Sequence, residues 1–307
     1  MERFASIDIG TNTILLLIAE LHYNRLKPVF EKETIVRLGE GLQKNGMISP
    51  EAMDRGLKTL KRYVQQCKKM NVKNIFAVGT SVLREAKNSK VFLKVVREKL
   101  NLSIQIISGR KEAYLSFISV SKEIKEFKNP IMVIDVGGGS TEFIIGKNHQ
   151  LIKWVSLPIG SVRLTECFIQ SDPVKIEECQ KMERKIKSSL KKVPKKPHPS
   201  LIFAVGGTAT TLASVGLRLK KFNPKKIHNF PLTKDIIRSQ LEIYKSLTIK
   251  ERKKIPGLPP SRADVILAGG KILYLAMEEL KCQSVIVSCH GVRYGVLYEK
   301  LKNKLTI

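Results

Sequence analysis

The chain has 307 residues, of which 43% are hydrophobic and 27% are charged. This length and balance are typical of about two globular domains, and they exclude a small disulfide-stapled scaffold and a disordered chain. The 55 Lys and Arg residues outnumber the 27 Asp and Glu residues, so the formal net charge is +28. Such an excess attracts polyanions, although a host whose proteins are rich in lysine would produce it as well.

Five scattered cysteines form no C-x-x-C pair, which favours buried thiols in a reducing cytosol over a disulfide framework. The charged N-terminus reaches Asp8 before any long apolar stretch, so we expect no signal peptide. The longest apolar run, residues 14–19, is far below the roughly 20 residues of a membrane helix. We therefore expect a soluble, cytoplasmic protein with no membrane partner.

Two segments repeat one pattern: a strand, a glycine-bearing polar turn and a second strand. The first copy covers residues 4–19 around the turn Gly10-Thr11-Asn12-Thr13. The second covers residues 131–145 around the turn Gly137-Gly138-Gly139-Ser140-Thr141. Two copies about one domain length apart predict a duplicated fold with two lobes.

Periodicity and capping signals predict the other elements. In chain order these are a helix capped by Ser49, a strand over 74–78, a helix over 89–100, a strand over 104–107, a helix over about 173–192, a strand over 201–205, helices over 233–245 and 262–280, a strand over 284–287 and a terminal helix. Alternating strands and helices indicate the α/β class. We expect one lobe over residues 1–124, with the terminal helix (about 294–307) packed back on it, and a second lobe over 125–293.

The glycine-rich turns are candidate phosphate sites, because consecutive backbone N–H groups can cradle phosphate oxygens. Asp8 and Asp135 precede the two turns and are suited to holding Mg²⁺. A third segment, Val205-Gly206-Gly207-Thr208, ends a strand and opens a helix whose N-terminus favours an anion. Glycine pairs also serve strand-to-helix packing, so this third signal is weaker.

Two glutamates lie in a similar context. Glu112 follows Ser108-Gly109 just after a strand, and Glu142 follows the second turn. Hydrolysis at phosphorus needs a carboxylate to orient or deprotonate water and others to hold a metal ion. Most glutamates are solvated surface residues, so these two are candidates only because of their surroundings.

These residues make a resemblance specific. The segments Thr80-Ser81-Val82-Leu83-Arg84-Glu85-Ala86-Lys87-Asn88, Ser108-Gly109-Arg110-Lys111-Glu112-Ala113 and Ser288-Cys289-His290-Gly291-Val292-Arg293, together with both turns and Gly206-Gly207-Thr208, resemble the exopolyphosphatase/guanosine pentaphosphate phosphatase family in order and spacing. The resemblance covers essentially the whole chain. It implies a duplicated actin-like (ribonuclease H-like) fold with an active-site cleft between two lobes.

The resemblance also implies an activity: Mg²⁺-dependent release of terminal orthophosphate from inorganic polyphosphate, or removal of a phosphate from guanosine pentaphosphate. By motif, Glu112 resembles the catalytic base, and Asp135 and Glu142 resemble the metal ligands. The implied phosphate-binding positions are Gly10, Thr11, Asn12, Thr13, Arg84, Gly137, Gly138, Gly139, Ser140, Thr141, Gly207 and Thr208.

The chain departs from the family pattern in places. Lys111 stands beside Glu112 where the family often has a second acid, Tyr294 stands where Glu is common, and an arginine common near Ile14 or Leu15 is missing. The helical C-terminal domains of long members do not follow, so the resemblance is to a short two-domain form. Preference between polyphosphate and guanosine pentaphosphate stays open, as does a homodimer.

Two other functions fit these residues less well. A sugar kinase or chaperone-type ATPase of the same fold would leave Glu112 without a role. A protein that only binds polyphosphate is supported by charge alone, and motifs for specific nucleic-acid binding are missing. Residues 181–197 carry eight basic side chains against the single acid Glu183. This run is read as a solvated helix and loop, with contact to a long anion as the alternative.

Overall fold

The computed structural model describes residues 2–22, 25–124 and 128–305. The chain divides into two compact units. Unit 1 contains Met1–Ser119 and Val292–Ile307, and unit 2 contains Val120–Gly291. The chain therefore passes from unit 1 to unit 2 after Ser119 and returns after Gly291.

Unit 1 is built on one five-stranded sheet. Its strands are β1 (Arg3–Ile9), β2 (Thr13–His22), β3 (Arg25–Ile35), β4 (Val72–Gly79) and β5 (Ile104–Ile106). Their order in the sheet is β3-β2-β1-β4-β5. The first three strands are antiparallel neighbours, whereas β4 and β5 run parallel to β1. Parallel neighbouring strands need a crossover connection, and in unit 1 helices form these connections.

The helices of unit 1 are α1 (Leu42–Asn45), α2 (Pro50–Lys69), α3 (Ser81–Glu85), α4 (Ser89–Leu100), α5 (Gly109–Ser121) and α13 (Val292–Lys300). Ser49 caps α2 by accepting a hydrogen bond from the Ala52 N–H, and Pro50 occupies its first turn. The apolar stripe of α2 packs into the core of the unit, where Leu60 and Cys67 are buried.

Helix α13 packs against β1 and β2 through Tyr294, Leu297 and Leu301. It also lies very close to α5. A Cβ atom on Gly295 would fall 2.1 Å from the carbonyl oxygen of Leu115, so only glycine permits this approach. The terminal helix was expected to continue to about residue 307. It ends at Lys300 and is followed by a short 3₁₀ turn, Lys302–Lys304, while residues 306–307 lie outside the described residues.

Unit 2 is built on a six-stranded sheet. Its strands are β6 (Ile131–Val136), β7 (Thr141–Lys147), β8 (Gln150–Leu157), β9 (Leu201–Val205), β10 (Pro231–Thr233) and β11 (Ser284–Val287). Their order is β10-β11-β9-β6-β7-β8. Strands β6, β7 and β8 are antiparallel neighbours, and β9 and β11 run parallel to β6 and β9. Unit 2 thus repeats the strand arrangement of unit 1 and adds β10 at one edge.

The helices of unit 2 are α6 (Ser161–Phe168), α7 (Ile176–Leu190), α8 (Gly206–Gly216), α9 (Pro224–Ile227), α10 (Lys234–Ser246), α11 (Ile249–Arg252) and α12 (Ile266–Glu279). A 3₁₀ turn, Pro260–Arg262, precedes α12. One apolar core joins the sheet to α7, α8, α10 and α12, with Met182, Leu212, Leu241 and Leu273 buried in it.

The α/β class and the duplicated fold predicted from the sequence are confirmed, because the two sheets repeat one strand order. Both predicted hairpins form, as β1–β2 and β6–β7. Several expected boundaries shift, and three of them lie near the candidate sites or in the helices of unit 2. The helix expected from about 173 begins at Ile176, the helix expected from 262 begins at Ile266, and the turn expected at Gly206–Thr208 is already the first turn of α8. Among the described helices, none is both long and apolar enough to cross a membrane.

Candidate phosphate and metal sites

The turn between β1 and β2 is held in place by backbone hydrogen bonds. The Gly10 N–H donates to the Thr13 carbonyl at 2.9 Å, and the Thr11 carbonyl accepts from the Gly39 N–H at 2.9 Å. The Asn12 carbonyl accepts from the two N–H groups that follow β3. The Gly10 amide is therefore already engaged, and amides at the tip of the turn are better candidates for a phosphate.

Asn12 is the buried polar side chain of this turn. It is 5% exposed, and within the described ranges neither its Oδ1 nor its Nδ2 has a hydrogen-bond partner. A buried amide without partners is costly, because both its donor and its acceptor have left water. Among the predicted phosphate-binding residues of unit 1, Asn12 is thus a side chain that a bound ligand would satisfy.

The turn between β6 and β7 repeats the same closure. The Gly137 N–H donates to the Ser140 carbonyl at 3.0 Å, as Gly10 does to Thr13 in unit 1. The Arg163 Nε donates to the Gly139 carbonyl at 2.7 Å, which ties α6 to the turn. The Thr141 hydroxyl donates to the Ile159 carbonyl at 2.5 Å and is fully buried. The Thr141 side chain therefore supports the turn.

Asp135 and Glu142 lie directly opposite each other in the β6–β7 register. Side chains at such positions lie within about 5.5 Å of each other at Cβ, and two like charges there repel. Glu142 is 2% exposed, and its Oε1 accepts from the hydroxyls of Ser140 and Ser156, both at 2.7 Å. Paired carboxylates are hard oxygen donors that suit Mg²⁺, and a cation would remove the repulsion. These residues fit the predicted metal.

The equivalent position of unit 1 is different. Asp8 is the penultimate residue of β1, as Asp135 is of β6, but its cross-strand neighbour is Leu15. Asp8 is 9% exposed. The paired carboxylates that favour a cation are thus found in the second hairpin and not in the first.

Arg84 and Glu112 form an ion pair inside unit 1. The Arg84 Nη1 donates to Glu112 Oε2 at 3.0 Å and to the Ile107 carbonyl at 2.9 Å. Glu112 lies in the first turn of α5, where the helix dipole favours a carboxylate, and it is 8% exposed. A guanidinium has five N–H donors, so Arg84 can hold Glu112 and an anion together.

Lys111, the basic neighbour of Glu112, points away from it. The Lys111 Nζ pairs with a carboxylate oxygen of Glu299 on α13 and lies 5.1 Å from the centre of the Tyr114 ring. Burial is the main cause that lowers the pKa of the Lys111 ammonium, and repulsion from Lys300 and Lys302 adds to it. Lys111 therefore connects α5 to α13, whereas Glu112 is held by Arg84.

The third glycine segment lies beside Asp135. Gly206 has a φ of +87°, and a Cβ there would fall 2.9 Å from Asp135 Oδ1. A Cβ on Gly207 would overlap the guanidinium of Arg262, 2.1 Å from Nη2. The Thr208 hydroxyl is turned toward Gly269 on α12, and the residue is 3% exposed. The α8 N-terminus has no side-chain cap, so its backbone amides, rather than the Thr208 hydroxyl, suit an anion.

Unit 1 thus brings together Arg84 and Glu112, and unit 2 brings together Asp135, Glu142 and the start of α8. Sequence reasoning missed Ser156 and Arg262 in this second group. Ser156 lies on β8, an edge strand whose polar residues hide the apolar pattern of a strand. Arg262 is an arginine 7% exposed after two prolines, and no local pattern reveals that it meets Gly207.

A model of the Ppx/GppA phosphatase family matches residues 17–304. The chain belongs to this family, as its motifs predicted.

Two named relatives are similar to this chain over almost its whole length. A bifunctional 3-dehydroquinate synthase/phosphatase of Fusobacterium nucleatum is 38% identical over 98% of this chain, and the chain spans about half (47%) of that protein. Exopolyphosphatase 2 of Mycobacterium tuberculosis is 31% identical over 96% of this chain and 98% of its own.

Solved structures share the fold along the whole chain. The Aquifex aeolicus member of the Ppx/GppA family has a TM-score of 0.84 and 32% identity, covering 100% of this chain and 99% of its own. An exopolyphosphatase of Cytophaga hutchinsonii has a TM-score of 0.91 and 28% identity, covering 99% of both chains.

Proposed function

We propose that this protein is an exopolyphosphatase that releases terminal orthophosphate from inorganic polyphosphate with the help of Mg²⁺. The observation that carries the proposal is the pairing of Asp135 with Glu142 across β6 and β7, since two opposed carboxylates beside a glycine-rich turn suit a cation that accompanies phosphate. Relatives named exopolyphosphatase support the substrate. The net charge of +28 suits a substrate that carries a negative charge on every unit.

In this proposal Glu112 is the general base. Its carboxylate accepts a proton from water as the water oxygen bonds to the terminal phosphorus, and the bond from that phosphorus to the bridging oxygen breaks. The products are orthophosphate and a chain shortened by one unit. The contact with Arg84 keeps the carboxylate in one orientation, which is the positioning that such a step requires.

Arg84 and the turns hold the substrate. The Arg84 guanidinium contacts phosphate oxygens through donors that do not contact Glu112, and the Asn12 amide and the α8 N-terminus offer further N–H donors. Asp135 and Glu142 hold Mg²⁺, which neutralises charge on the phosphate when it is bound. The Ser140 and Ser156 hydroxyls keep Glu142 oriented.

The cysteines support a place of action. All five have free thiols, including exposed Cys167, which suits a reducing compartment. We therefore propose that the enzyme acts in the cytoplasm.

The test is release of orthophosphate from polyphosphate of defined length, with and without EDTA, in the wild type and in Glu112→Gln. We expect release that EDTA abolishes, with products that consist of orthophosphate and chains near the starting length. Mid-length products would indicate internal cleavage and contradict the proposal. Turnover of guanosine pentaphosphate is measured in parallel. If it is faster than turnover of any polyphosphate, guanosine pentaphosphate is the substrate, and the reaction is still hydrolysis of a phosphoanhydride bond.

A further inference from the structure

Unit 2 contains a cluster of metal-ligand side chains that the proposed reaction does not use. Glu123, His228 and His290 each offer one ligand atom, and these atoms lie within 4.8 Å of one another. The side chains are 20–24% exposed, so solvent can reach the cluster. All three residues belong to unit 2.

The three residues come from separate parts of the chain. Glu123 follows α5, His228 directly follows α9, and His290 lies in the connection between β11 and α13. Glu123 is four residues past the first passage between units, and His290 is two residues before the second. An ion bound here would connect both of these segments to α9.

The geometry matches a tetrahedral ion. Ligands about 2.0–2.1 Å from zinc lie about 3.3 Å from one another. His228 Nε2 lies 3.3 Å from Glu123 Oε2, and the two imidazole rings stack with centroids 4.9 Å apart. His290 Nδ1 contacts the other oxygen of the same carboxylate. Small side-chain movements would place all three atoms around one ion.

From this juxtaposition we infer a binding site for a divalent first-row transition metal, with Zn²⁺ the best match, formed by Glu123, His228 and His290. Two imidazole nitrogens and one carboxylate oxygen form a donor set used by zinc sites that keep a position for water. Imidazole disfavours Mg²⁺, which prefers oxygen ligands. The site therefore differs in both place and metal from the carboxylate pair Asp135–Glu142.

One further contact makes the inference testable in detail. The Cys289 N–H donates to His228 Nδ1 at 3.3 Å, so without metal the neutral ring carries its proton on Nε2, toward Glu123. Coordination through Nε2 moves that proton to Nδ1 at the cost of this one long hydrogen bond. Metal binding thus switches the tautomer of His228, which a hydrogen-bonded cluster without metal would not do.

In the first test, the 307-residue chain without a histidine tag is dialysed to equilibrium against Zn²⁺. Elemental analysis then measures how much Zn²⁺ each chain has bound. We expect one Zn²⁺ per chain, with affinity reduced on the order of 100-fold in Glu123→Gln, His228→Gln and His290→Gln, since even residues outside the ligand set cost metal sites 10- to 100-fold. His149→Gln is the matched control, because this ring contacts Ser121 and lies outside the cluster. Equal Zn²⁺ binding by the control and the three variants would overturn the inference.

The second test needs no variant and so does not depend on variant folding. The wild type has five histidines. Proton–nitrogen spectra of their rings should show that Zn²⁺ shifts two of them and moves one from the Nε2–H to the Nδ1–H form. No change in any ring at saturating Zn²⁺, or equal changes in all five, would contradict the site. Neither readout depends on polyphosphate hydrolysis, so the inference stands or falls separately from the proposed function.

Discussion

Arg84 donates to Glu112 at 3.0 Å across the gap between α3 and the first turn of α5. The resemblance had assigned these two residues separate roles, one on the phosphate and one on water. Their contact means that a change at either residue alters the surroundings of the other, so the two proposed roles would be coupled.

Replacing Glu112 with Gln keeps the shape of the side chain but removes its ability to accept a proton. We expect kcat on polyphosphate to fall by about 10² to 10⁴ with KM close to the wild-type value, because general base catalysis contributes a factor of this size. Steady-state kinetics of released orthophosphate measure it. Glu98→Gln, an exposed change on α4, is the control and should keep full turnover. If the variant at 112 retains more than half of its kcat, Glu112 is not the base.

Replacing Arg84 with Gln removes the charged guanidinium that donates hydrogen bonds to Glu112 and, in our proposal, to the substrate. We expect KM to rise about 10- to 100-fold, since hydrogen bonds to charged groups contribute about 1.5–3 kcal/mol. We also expect kcat to fall, because Glu112 loses the contact that orients it. Arg84→Lys should recover part of KM and less of kcat, because an ammonium cannot hold two partners in the fixed geometry of a guanidinium. An unchanged KM in Arg84→Gln would exclude substrate contact.

Asp135→Asn and Glu142→Gln should each raise the Mg²⁺ concentration at half-maximal activity, on the order of tenfold or more, because each removes one charge from the opposed pair. Activity measured against Mg²⁺ concentration gives this value. Glu177→Gln, an exposed change on α7, is the control. Metal curves identical to wild type in both variants would contradict the metal assignment.

The charge of +28 should appear in the salt dependence of KM if basic residues outside the site contact a long chain. Each such contact releases condensed counterions, so KM for long polyphosphate should rise more steeply with salt than KM for a short one. Changing exposed Lys191, Lys192, Lys195 and Lys196 to Gln together should reduce the slope for the long chain, whereas the same change at exposed Lys61, Lys68, Lys69 and Lys99 should not. Equal slopes for both lengths would assign the charge to host composition.

The stability of the fold should fall above pH 9, in part because of Cys67. Burial raises the pKa of this thiol from 9.0 to about 12. In the unfolded chain the thiol ionises near pH 9, whereas the folded chain keeps the proton until about pH 12, so stability present below pH 9 is lost as the pH rises between these values. The loss from Cys67 at pH 10 is on the order of 1 kcal/mol.

Chemical denaturation at pH 8 and pH 10 measures this loss. Cys67→Ala should lose less stability than the wild type over this interval, by on the order of 1 kcal/mol. Exposed Cys167→Ala is the matched control and should behave like the wild type. An unaltered pH dependence in Cys67→Ala would show that the folded thiol titrates as it does in the unfolded chain.

The elements that the sequence predicted well have local signals. Hairpins β1–β2 and β6–β7 have apolar strands around glycine-bearing turns, and α2 has both a cap and an apolar stripe. The sequence did not predict strand β3, because this edge strand contains several charged residues and Pro28. Proline is tolerated there because it lies at the edge of the sheet, next to a bulge. Helix α5 was missed because its sequence is apolar on most sides and lacks a helical stripe.

The candidate site residues could likewise be predicted only where they lie close together in the sequence. Asp135 and Glu142 were expected together because a hairpin turn joins them. The contact of Arg84 with Glu112 depends on how α3 and α5 pack, and the cluster of Glu123, His228 and His290 joins residues from distant segments. In neither arrangement do the residues lie close together in the sequence at a recognisable spacing. Both arrangements are therefore visible only in the three-dimensional structure.

The two hairpins share a closed turn, yet Asp8 faces Leu15 in one and Asp135 faces Glu142 in the other. After an internal duplication, a single cross-strand position is enough to give one copy a pair of opposed carboxylates while its twin has none. The halves of this chain thus differ at a residue that the proposed Mg²⁺ site needs, so under that proposal they are not interchangeable. A chimera with two first-type hairpins would keep both turns and their strands, but it would lose the acidic partner on which the proposed Mg²⁺ binding depends.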